Sequence, residues 1–134
     1  MNAVDTNVLI YAYDPRDAAK QNKAVNLIAS LTDGVLLWQV ACEYIAASRK
    51  LAAYGLSQPQ AWRHLQQLRG VWPLVLPTPT VLDEAERLVT SGNLSIWDAL
   101  MVAACVESGV TTLYSEDFDA STTPLTGVQI INPF

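Results

Sequence analysis

Histidine and cysteine are scarce in this sequence, which limits the chemistry available to it. The 134 residues include one histidine, His64, and two cysteines, Cys42 and Cys105. The lone histidine lies in a polar, helix-like stretch where we expect it to be exposed, so no Ser-His-Asp or Cys-His arrangement is present. Three such residues far apart in the chain do not make a structural zinc site. Both cysteines lie in apolar stretches and are predicted to be buried free thiols.

Long apolar runs and an N-terminal targeting pattern are also missing. No run approaches the roughly 18 to 20 apolar residues of a membrane-spanning helix, and Asp5 interrupts the basic-then-apolar order of a signal peptide. A glycine-rich phosphate loop is missing too, which argues against nucleotide binding of that kind. These absences predict a cytoplasmic protein that does not act at a membrane.

Positive charge is the third scarcity. Lysine and arginine total 8 against 13 acidic residues, giving a net charge of −5. Such a chain repels nucleic acid at long range, so a nucleic-acid partner would need bound metal and a local basic patch. Arg16, Lys20 and Lys23 are predicted to share one helical face, and Arg49-Lys50 extends a later helix. These five are candidate phosphate contacts, with a merely solvated basic face as the alternative.

The composition favours one folded domain over residues 1–134, with 51% hydrophobic and 16% charged residues. Helices are predicted between short strands, and parallel strands need such crossovers. We therefore expect an α/β fold of three layers, α/β/α, around a short-stranded central parallel sheet. The predicted strands are Met1–Val4, Val35–Trp38, Trp72–Leu76, Thr111–Tyr114 and Val128–Ile131. The predicted helices are Asn7–Tyr13, Ala18–Leu31, Gln39–Tyr54, Ala61–Arg69, Val81–Thr90 and Ser95–Ser108.

Four carboxylates stand out against this background. Asp5, Glu43 and Asp98 are lone charges among core-forming residues, and Asp117 follows a predicted strand. A charge near apolar material is costly unless it is compensated. Ligands in parallel α/β sheets gather beyond the carboxyl ends of the strands, where Asp5 and Asp117 fall. If the fold gathers all four, hard divalent cations such as Mg²⁺ or Mn²⁺ suit the all-oxygen shell.

Each acid also has a simpler explanation. Asp5 could cap the helix that follows it, and Asp98 stands three residues after Ser95, as in a capping box. Asp117 lies in a stretch that could be an ordinary solvated loop. Glu43 lacks such a simple explanation, because it is predicted to lie inside a helix among apolar residues, with no basic residue before Arg49. The four together favour the metal site.

The motifs around these acids resemble those of PIN-domain ribonucleases. The matching segments are VDTNVLI at Asp5, the helical Glu43, WDAL at Asp98 and LYSEDFD at Asp117, in order along nearly the whole chain. At this size the chain looks most like the VapC-type toxins of bacterial toxin–antitoxin pairs. The resemblance implies a metal-dependent endoribonuclease in which these four catalytic acids hold one or two Mg²⁺ or Mn²⁺ ions.

The resemblance carries further expectations about side chains and partners. It implies that Thr6, Asn7 and Ser115 contact the acids or the substrate, and that Asp119 is a secondary acidic position. It also implies an RNA substrate, a cognate antitoxin protein and a homodimer. Two alternatives remain open: a protein-binding module of the same fold with a structural ion and no turnover, and a structure-specific DNA nuclease.

Overall fold

The computed structural model describes residues 1–118 and 126–134, and the predicted secondary acid Asp119 lies outside this range. It contains a five-stranded sheet of order β3-β2-β1-β4-β5, in which every neighbouring pair is parallel. Helices flank the sheet, so the three-layer α/β/α prediction is confirmed. The strands are β1 (Asn2–Val4), β2 (Gly34–Leu37), β3 (Leu74–Val75), β4 (Thr112–Tyr114) and β5 (Gln129–Ile131).

The helices occur where the sequence predicts them, but several begin or end elsewhere. The predicted Gln39–Tyr54 helix divides into an α-helix and a 3₁₀ segment, Arg49–Tyr54. Arg16 lies before the second helix rather than on its face. The fifth helix begins at Pro79, whose fixed φ suits a first helical turn. The helices are α1 (Thr6–Tyr11), α2 (Ala18–Ser30), α3 (Trp38–Ser48), α4 (Gln58–Arg69), α5 (Pro79–Gly92) and α6 (Ile96–Ser108).

Strand register fixes which residues meet at the carboxyl edge of the sheet. Val4 of β1 pairs with Tyr114 of β4, so the residues that follow, Asp5 and Ser115, leave the sheet side by side. The Asp5 backbone N–H donates to the Tyr114 carbonyl at 2.8 Å, and the Ser115 N–H donates to the Ile131 carbonyl at 2.9 Å. These bonds hold both residues in place before any side chain contributes.

The core lies on both faces of the sheet, and β2 is buried along its whole length. Gly34 begins this strand, one residue before the predicted start at Val35. Its packing explains the glycine, because a Cβ there would lie 2.3 Å from Cε2 of the buried Trp72 ring.

Two expectations about burial were wrong. Cys105 is a buried free thiol as predicted, whereas Cys42 is free but exposed. His64 is half-buried and stacks on Tyr13 with ring centroids 4.0 Å apart, although its polar neighbours predicted an exposed side chain. In residues 1–118 and 126–134, no helix is long and apolar enough to cross a membrane.

Candidate metal and catalytic site

Asp5 occupies the turn between β1 and α1, where it caps the helix. Its Oδ1 accepts a hydrogen bond from the Thr6 backbone N–H at 2.6 Å, and its Oδ2 accepts one from Ser115 Oγ at 2.6 Å. The residue is 6% exposed. The cap predicted as an alternative to a functional role is therefore present, but it uses only one carboxylate oxygen. The other oxygen is bound by Ser115, which follows β4 and lies 110 residues away in sequence.

Burial raises the pKa of Asp5 to about 6. The hydrogen bonds from Ser115 and Thr6 favour the ionised form and lower this pKa, whereas the nearby charges of Asp117 and Glu43 raise it further. The two charges show that the fold brings three of the predicted acids close enough to repel one another. A cation among them would favour the ionised form of Asp5.

Glu43 reaches this group from α3. Its Oε2 accepts from Thr6 Oγ1 at 2.9 Å, and its Oε1 accepts from Gln39 Nε2 at 2.5 Å. Thr6 therefore contacts two acids at once, through its backbone N–H and through its hydroxyl. Gln39 was not among the predicted site residues, although the signal was visible, because residues four apart on a helix share a face.

Asn7 and Ser115 position Asp117 at the other side of the group. Asn7 Nδ2 donates to Asp117 Oδ2 at 2.9 Å, and the Asp117 backbone N–H donates to Ser115 Oγ at 3.1 Å. Asn7 Oδ1 is buried and has no hydrogen-bond partner in the described part of the chain. Such a buried acceptor is costly unless a donor or cation satisfies it.

Asp98 stands in the first turn of α6 and is linked to the group through backbone. Ser95 Oγ accepts from the Asp98 N–H at 3.2 Å, which is one of the two hydrogen bonds of the predicted capping box. This cap uses the backbone of Asp98 and not its carboxylate. Gln39 Nε2, which also bonds Glu43, donates to the Trp97 carbonyl at 3.1 Å and ties α3 to the start of α6.

The donor atoms have the chemistry that a hard divalent cation prefers, but they are not spaced closely enough to bind one. Over residues 1–118 and 126–134, no three His, Cys, Asp or Glu side chains are gathered closely enough to hold a metal ion. The available donors are nevertheless all oxygens, from Asp5, Glu43, Asp117 and Asn7 Oδ1. Mg²⁺ and Mn²⁺ prefer this chemistry, and side-chain rotation would be needed to close the shell.

The predicted basic contacts are partly engaged within the chain. Arg16 donates to both oxygens of buried Asp14, at 2.9 and 2.8 Å, and its guanidinium lies 4.4 Å from the Tyr54 ring centroid. Lys20 forms an ion pair with Glu116 at 3.1 Å. These contacts reduce the positive charge that either side chain offers to a phosphate.

The remaining predicted basic residues are more accessible. Lys23 is exposed and donates to the Phe134 carbonyl at 3.1 Å. Arg49 and Lys50 are exposed at the start of the 3₁₀ segment that follows α3, the helix of Glu43. These two predicted phosphate contacts therefore follow directly after α3, the helix that brings Glu43 to the acidic group.

An apolar surface adjoins the acids, and we call it the tryptophan surface. Trp38, Trp62 and Trp97 are 47%, 50% and 66% exposed. A pocket of about 300 Å³ is lined by Trp38, Trp97 and Glu43, and Trp38 also lines a neighbouring pocket with Trp62. Aromatic side chains so exposed beside a polar site are typical of an interaction surface.

Known proteins share this fold. The model of the family described as PIN domain matches residues 3–124. A toxin–antitoxin complex from Klebsiella pneumoniae aligns with a TM-score of 0.73 at 16% identity, covering 100% of this chain and 98% of the other. VapC20 of Mycobacterium tuberculosis, described as a sarcin-ricin loop cleaving toxin, aligns at 0.70 and 18% identity, covering 92% and 95%.

A third similar structure is VapBC2 from Rickettsia felis, bound to a DNA fragment from their promoter. It aligns with a TM-score of 0.69 at 14% identity and covers 98% of this chain and 97% of the other. No curated protein matches the sequence. At these identities the aligned structures establish the fold.

Proposed function

The chain belongs to the PIN domain family, and on that premise we propose that it is a divalent-metal-dependent endoribonuclease. The observation that carries the proposal is the hydrogen-bonded group of Asp5, Glu43 and Asp117 beside Asn7 Oδ1, which has no partner among the described residues. A structural role alone would not require three carboxylates that repel one another at one edge of the sheet. A cation and a phosphate substrate explain why they are kept together.

Each side chain has a positioning task in this proposal. Asp5, Glu43, Asp98 and Asp117 would hold one or two ions, with Asn7 Oδ1 as a further oxygen donor. Ser115 and Thr6 orient Asp5, and the Thr6 hydroxyl also fixes Glu43. When bound, Mg²⁺ or Mn²⁺ supplies positive charge to the scissile phosphate and makes water acidic enough to act as the nucleophile. No protein nucleophile is needed, so the products are 5′-phosphate and 3′-hydroxyl ends.

We also propose that the chain is the toxin of a toxin–antitoxin pair and is held inactive by a cognate antitoxin. Support comes from the structures of similar fold, several of which are toxin–antitoxin complexes.

The tryptophan surface supports the predicted homodimer, because tryptophan is enriched in protein interfaces. Trp38→Glu should then convert a dimer into a monomer in light scattering. A wild-type protein that is monomeric at all concentrations would contradict the homodimer.

The nuclease proposal is tested by sequencing 5′ ends after purified protein is incubated with total cellular RNA. The incubation is run with Mg²⁺ or Mn²⁺, with a chelator, and with the Asp5→Asn variant. Asp83→Asn is the matched control, since Asp83 is an exposed carboxylate on α5. We expect new 5′-phosphate ends that require both metal and Asp5 and that persist in the control.

Two results would count against this proposal in different ways. If a folded, metal-binding protein produces no new ends, the binding-module alternative moves ahead. Ends that carry 2′,3′-cyclic phosphate on the upstream fragment would reject water as the nucleophile while leaving RNA as the substrate. Cleavage of DNA but not RNA in the same assay would favour the DNA nuclease alternative.

A further inference from the structure

The segment that follows β4 supplies two residues of the acidic site, and a further acid, Glu116, stands between them. Ser115 Oγ donates to Asp5, and the Asp117 backbone N–H donates to the same Ser115 oxygen. The Glu116 side chain takes no part in these two bonds. Only 21% of that side chain is exposed, so its charge needs compensation from another part of the fold.

Tyr11 and Lys20 bind the Glu116 carboxylate, one at each oxygen. The Tyr11 hydroxyl donates to Glu116 Oε1, and Lys20 Nζ donates to Oε2 at 3.1 Å. Lys20 Nζ also donates to Tyr11 Oη at 3.3 Å, so the three polar groups all contact one another. Hydrogen bonds to an ionised carboxylate are stronger than those between neutral groups. We call these three residues the Glu116 clamp.

Phe134 holds the two donors of the clamp in place. Its ring meets the Tyr11 ring edge to face, with centroids 4.9 Å apart. Lys20 Nζ lies 4.6 Å from the Tyr11 ring centroid and 5.7 Å from that of Phe134, within the range of cation–π attraction. Both donors are therefore fixed by packing as well as by Glu116. This distinguishes the clamp from a solvated surface ion pair, which contributes little.

Helix α1 binds two successive acids of this segment from one face. Asn7 Nδ2 donates to Asp117, and the Tyr11 hydroxyl donates to Glu116. These two donors are four residues apart on α1, so their side chains are neighbours on the helix surface. A backbone that is held at Glu116 leaves Asp117 less freedom to turn away from Asn7.

We propose that Tyr11, Lys20 and Glu116 are positioning residues of the metal site, and that Glu116 itself does not bind the ion. By holding the middle residue of the segment, the clamp keeps Ser115 and Asp117 directed at the other acids. Metal sites depend on such outer partners to orient their ligands. The inference rests on the proposed function, because that function assigns Asp117 to a metal ion.

The first test measures Mn²⁺ affinity by isothermal titration calorimetry in three variants. Tyr11→Phe removes the hydroxyl and keeps the ring, Lys20→Met removes the ammonium and keeps an unbranched stem, and Glu116→Gln removes the charge. We expect each to raise the Kd for Mn²⁺ about three- to tenfold, at or below the 10- to 100-fold typical of direct outer partners of metal ligands. Lys20→Arg keeps the positive charge and should restore most of the affinity.

A double variant and a matched control complete this test. If Glu116 acts through Lys20, the double variant Lys20→Met with Glu116→Gln should bind Mn²⁺ no more weakly than the weaker single variant. Glu84→Gln is the matched control, because the Glu84 side chain is 20% exposed and forms an ion pair with Arg87 at 2.6 Å. This pair lies on α5, which carries none of the four acids. The control should leave the Mn²⁺ affinity unchanged.

The second test needs no metal. In chelator, NMR measures how fast the Asp117 backbone N–H, which donates to Ser115 Oγ, exchanges with water. We expect this exchange to be about three- to tenfold faster in Tyr11→Phe and Lys20→Met, as the loss of one hydrogen bond causes. Exchange of the Asp5 N–H, which is bonded to β4, should stay unchanged. General destabilisation would instead accelerate both.

Three results would overturn the inference. One is unchanged Mn²⁺ affinity together with unchanged Asp117 exchange in Tyr11→Phe and Lys20→Met. Another is loss of Mn²⁺ binding in Glu116→Gln alone, which would make Glu116 a ligand of the ion. The third is an equal acceleration of exchange at Asp117 and Asp5, which would mean that the clamp only stabilises the fold. A wild type that binds no Mn²⁺ would contradict the nuclease proposal instead, and the exchange test would still decide whether the clamp holds Asp117.

Discussion

Asp5 illustrates how competing effects decide the state of one residue. Burial and the charges of Glu43 and Asp117 favour its neutral form, while two short hydrogen bonds favour its ionised form. The balance places its pKa at about 6, against 3.8 for an unperturbed aspartate. Asp5 is therefore one of the side chains through which pH should act on the stability of the metal-free protein.

The first prediction concerns stability between pH 4 and 6. The folded pKa of Asp5 is raised, so the folded state binds more protons than the unfolded state in this range, and the stability from Asp5 falls as pH rises. The loss is at most about 3 kcal/mol, from 1.36 kcal/mol per pKa unit. Urea unfolding in the presence of a chelator measures the unfolding free energies of the wild type and of Asp5→Asn. The wild-type value minus the variant value should decrease from pH 4 to pH 7. A difference independent of pH would contradict the raised pKa.

The second prediction concerns Asp98. Asn is isosteric, and the cap on α6 uses the Asp98 backbone N–H, so Asp98→Asn should fold normally. We expect RNA cleavage to fall by about 100-fold or more, beyond the 10- to 100-fold typical of outer partners of a metal site. The measurement is the initial cleavage rate with saturating Mn²⁺ beside the melting temperature.

Asp83→Asn serves as the control for this substitution, since it removes an exposed carboxylate of the same kind from α5. Full activity in Asp98→Asn would remove Asp98 from the site. A fall in activity accompanied by a lower melting temperature would instead indicate damage to α6.

Isolated charges are the features that the sequence marks most clearly. Asp5 and Glu43 were conspicuous because a carboxylate among apolar residues needs a reason. His64 and Cys42 were misjudged, because their neighbours along the helix do not say which face packs against another element. Burial of a single side chain on an amphipathic helix is set by the partner helix, here through Tyr13 in the case of His64.

Among the elements, β2 shows how one small residue permits a close approach. Gly34 starts this buried strand against Trp72, which is 3% exposed. The third prediction is that Gly34→Ala destabilises the protein by about 1–3 kcal/mol, the usual range for overpacking. The Trp72 ring would have to move, because the new Cβ would lie 2.3 Å from it. Urea unfolding followed by tryptophan fluorescence measures the change.

Gly70 provides the matched control for Gly34. It ends α4 in right-handed helical geometry, and a Cβ there would meet only the Gln67 and Gln66 carbonyl oxygens, at 3.2 and 3.9 Å. Gly70→Ala should change the unfolding free energy by less than about 1 kcal/mol. Equal losses in the two variants would mean that the Trp72 contact is not the cause.

The basic residues in α2 and just before it carry the fourth prediction. Replacing Arg16, Lys20 and Lys23 by Ala should weaken RNA binding and flatten its dependence on salt. Arg16 and Lys20 are paired with Asp14 and Glu116. The slope of RNA affinity against salt concentration should therefore fall by less than the loss of three phosphate contacts would cause. Fluorescence anisotropy with Asp98→Asn as the background measures binding without cleavage.

A comparison within the same assay separates the two basic clusters. Arg49→Ala with Lys50→Ala removes two exposed cations that follow the helix of Glu43. The phosphate contacts would lie beside α3 if the salt slope is unchanged in the Arg16, Lys20 and Lys23 variant but reduced in the Arg49 and Lys50 variant. No change in either would mean that these cations touch no phosphate.

For the whole molecule, a bound cation should couple the separate elements. The acids come from the β1–α1 turn, α3, the start of α6 and the segment after β4. The fifth prediction is that Mn²⁺ raises the melting temperature of the wild type, because an ion that binds only the folded state adds about 2.7 kcal/mol at 100 times its Kd. Differential scanning calorimetry in Mn²⁺ and in chelator measures this.

Asp5→Asn should remove most of this stabilisation by Mn²⁺. It should also be at least as stable as the wild type in chelator at pH 7, because it relieves the repulsion with Glu43 and Asp117. A wild-type melting temperature that does not respond to Mn²⁺ would count against a metal site at this position.

The sequence alone determined the architecture and the location of the acids along the chain. Short apolar segments alternate with helices of crossover length, and that alternation requires a parallel sheet with helices on both faces. Asp5 and Asp117 follow strands in sequence, so their position at the carboxyl edge was predictable without coordinates. The motifs around them also indicated the family.

Only the tertiary structure decided which side chains meet. The bonds from Ser115 to Asp5 and from Asn7 to Asp117 each join residues 110 apart. A cavity lined by Tyr44 and His64 likewise exists only where four helices pack together. Local periodicity determines each element, because it depends on neighbours in the chain; contacts across elements depend on strand register and helix packing, which no single segment contains.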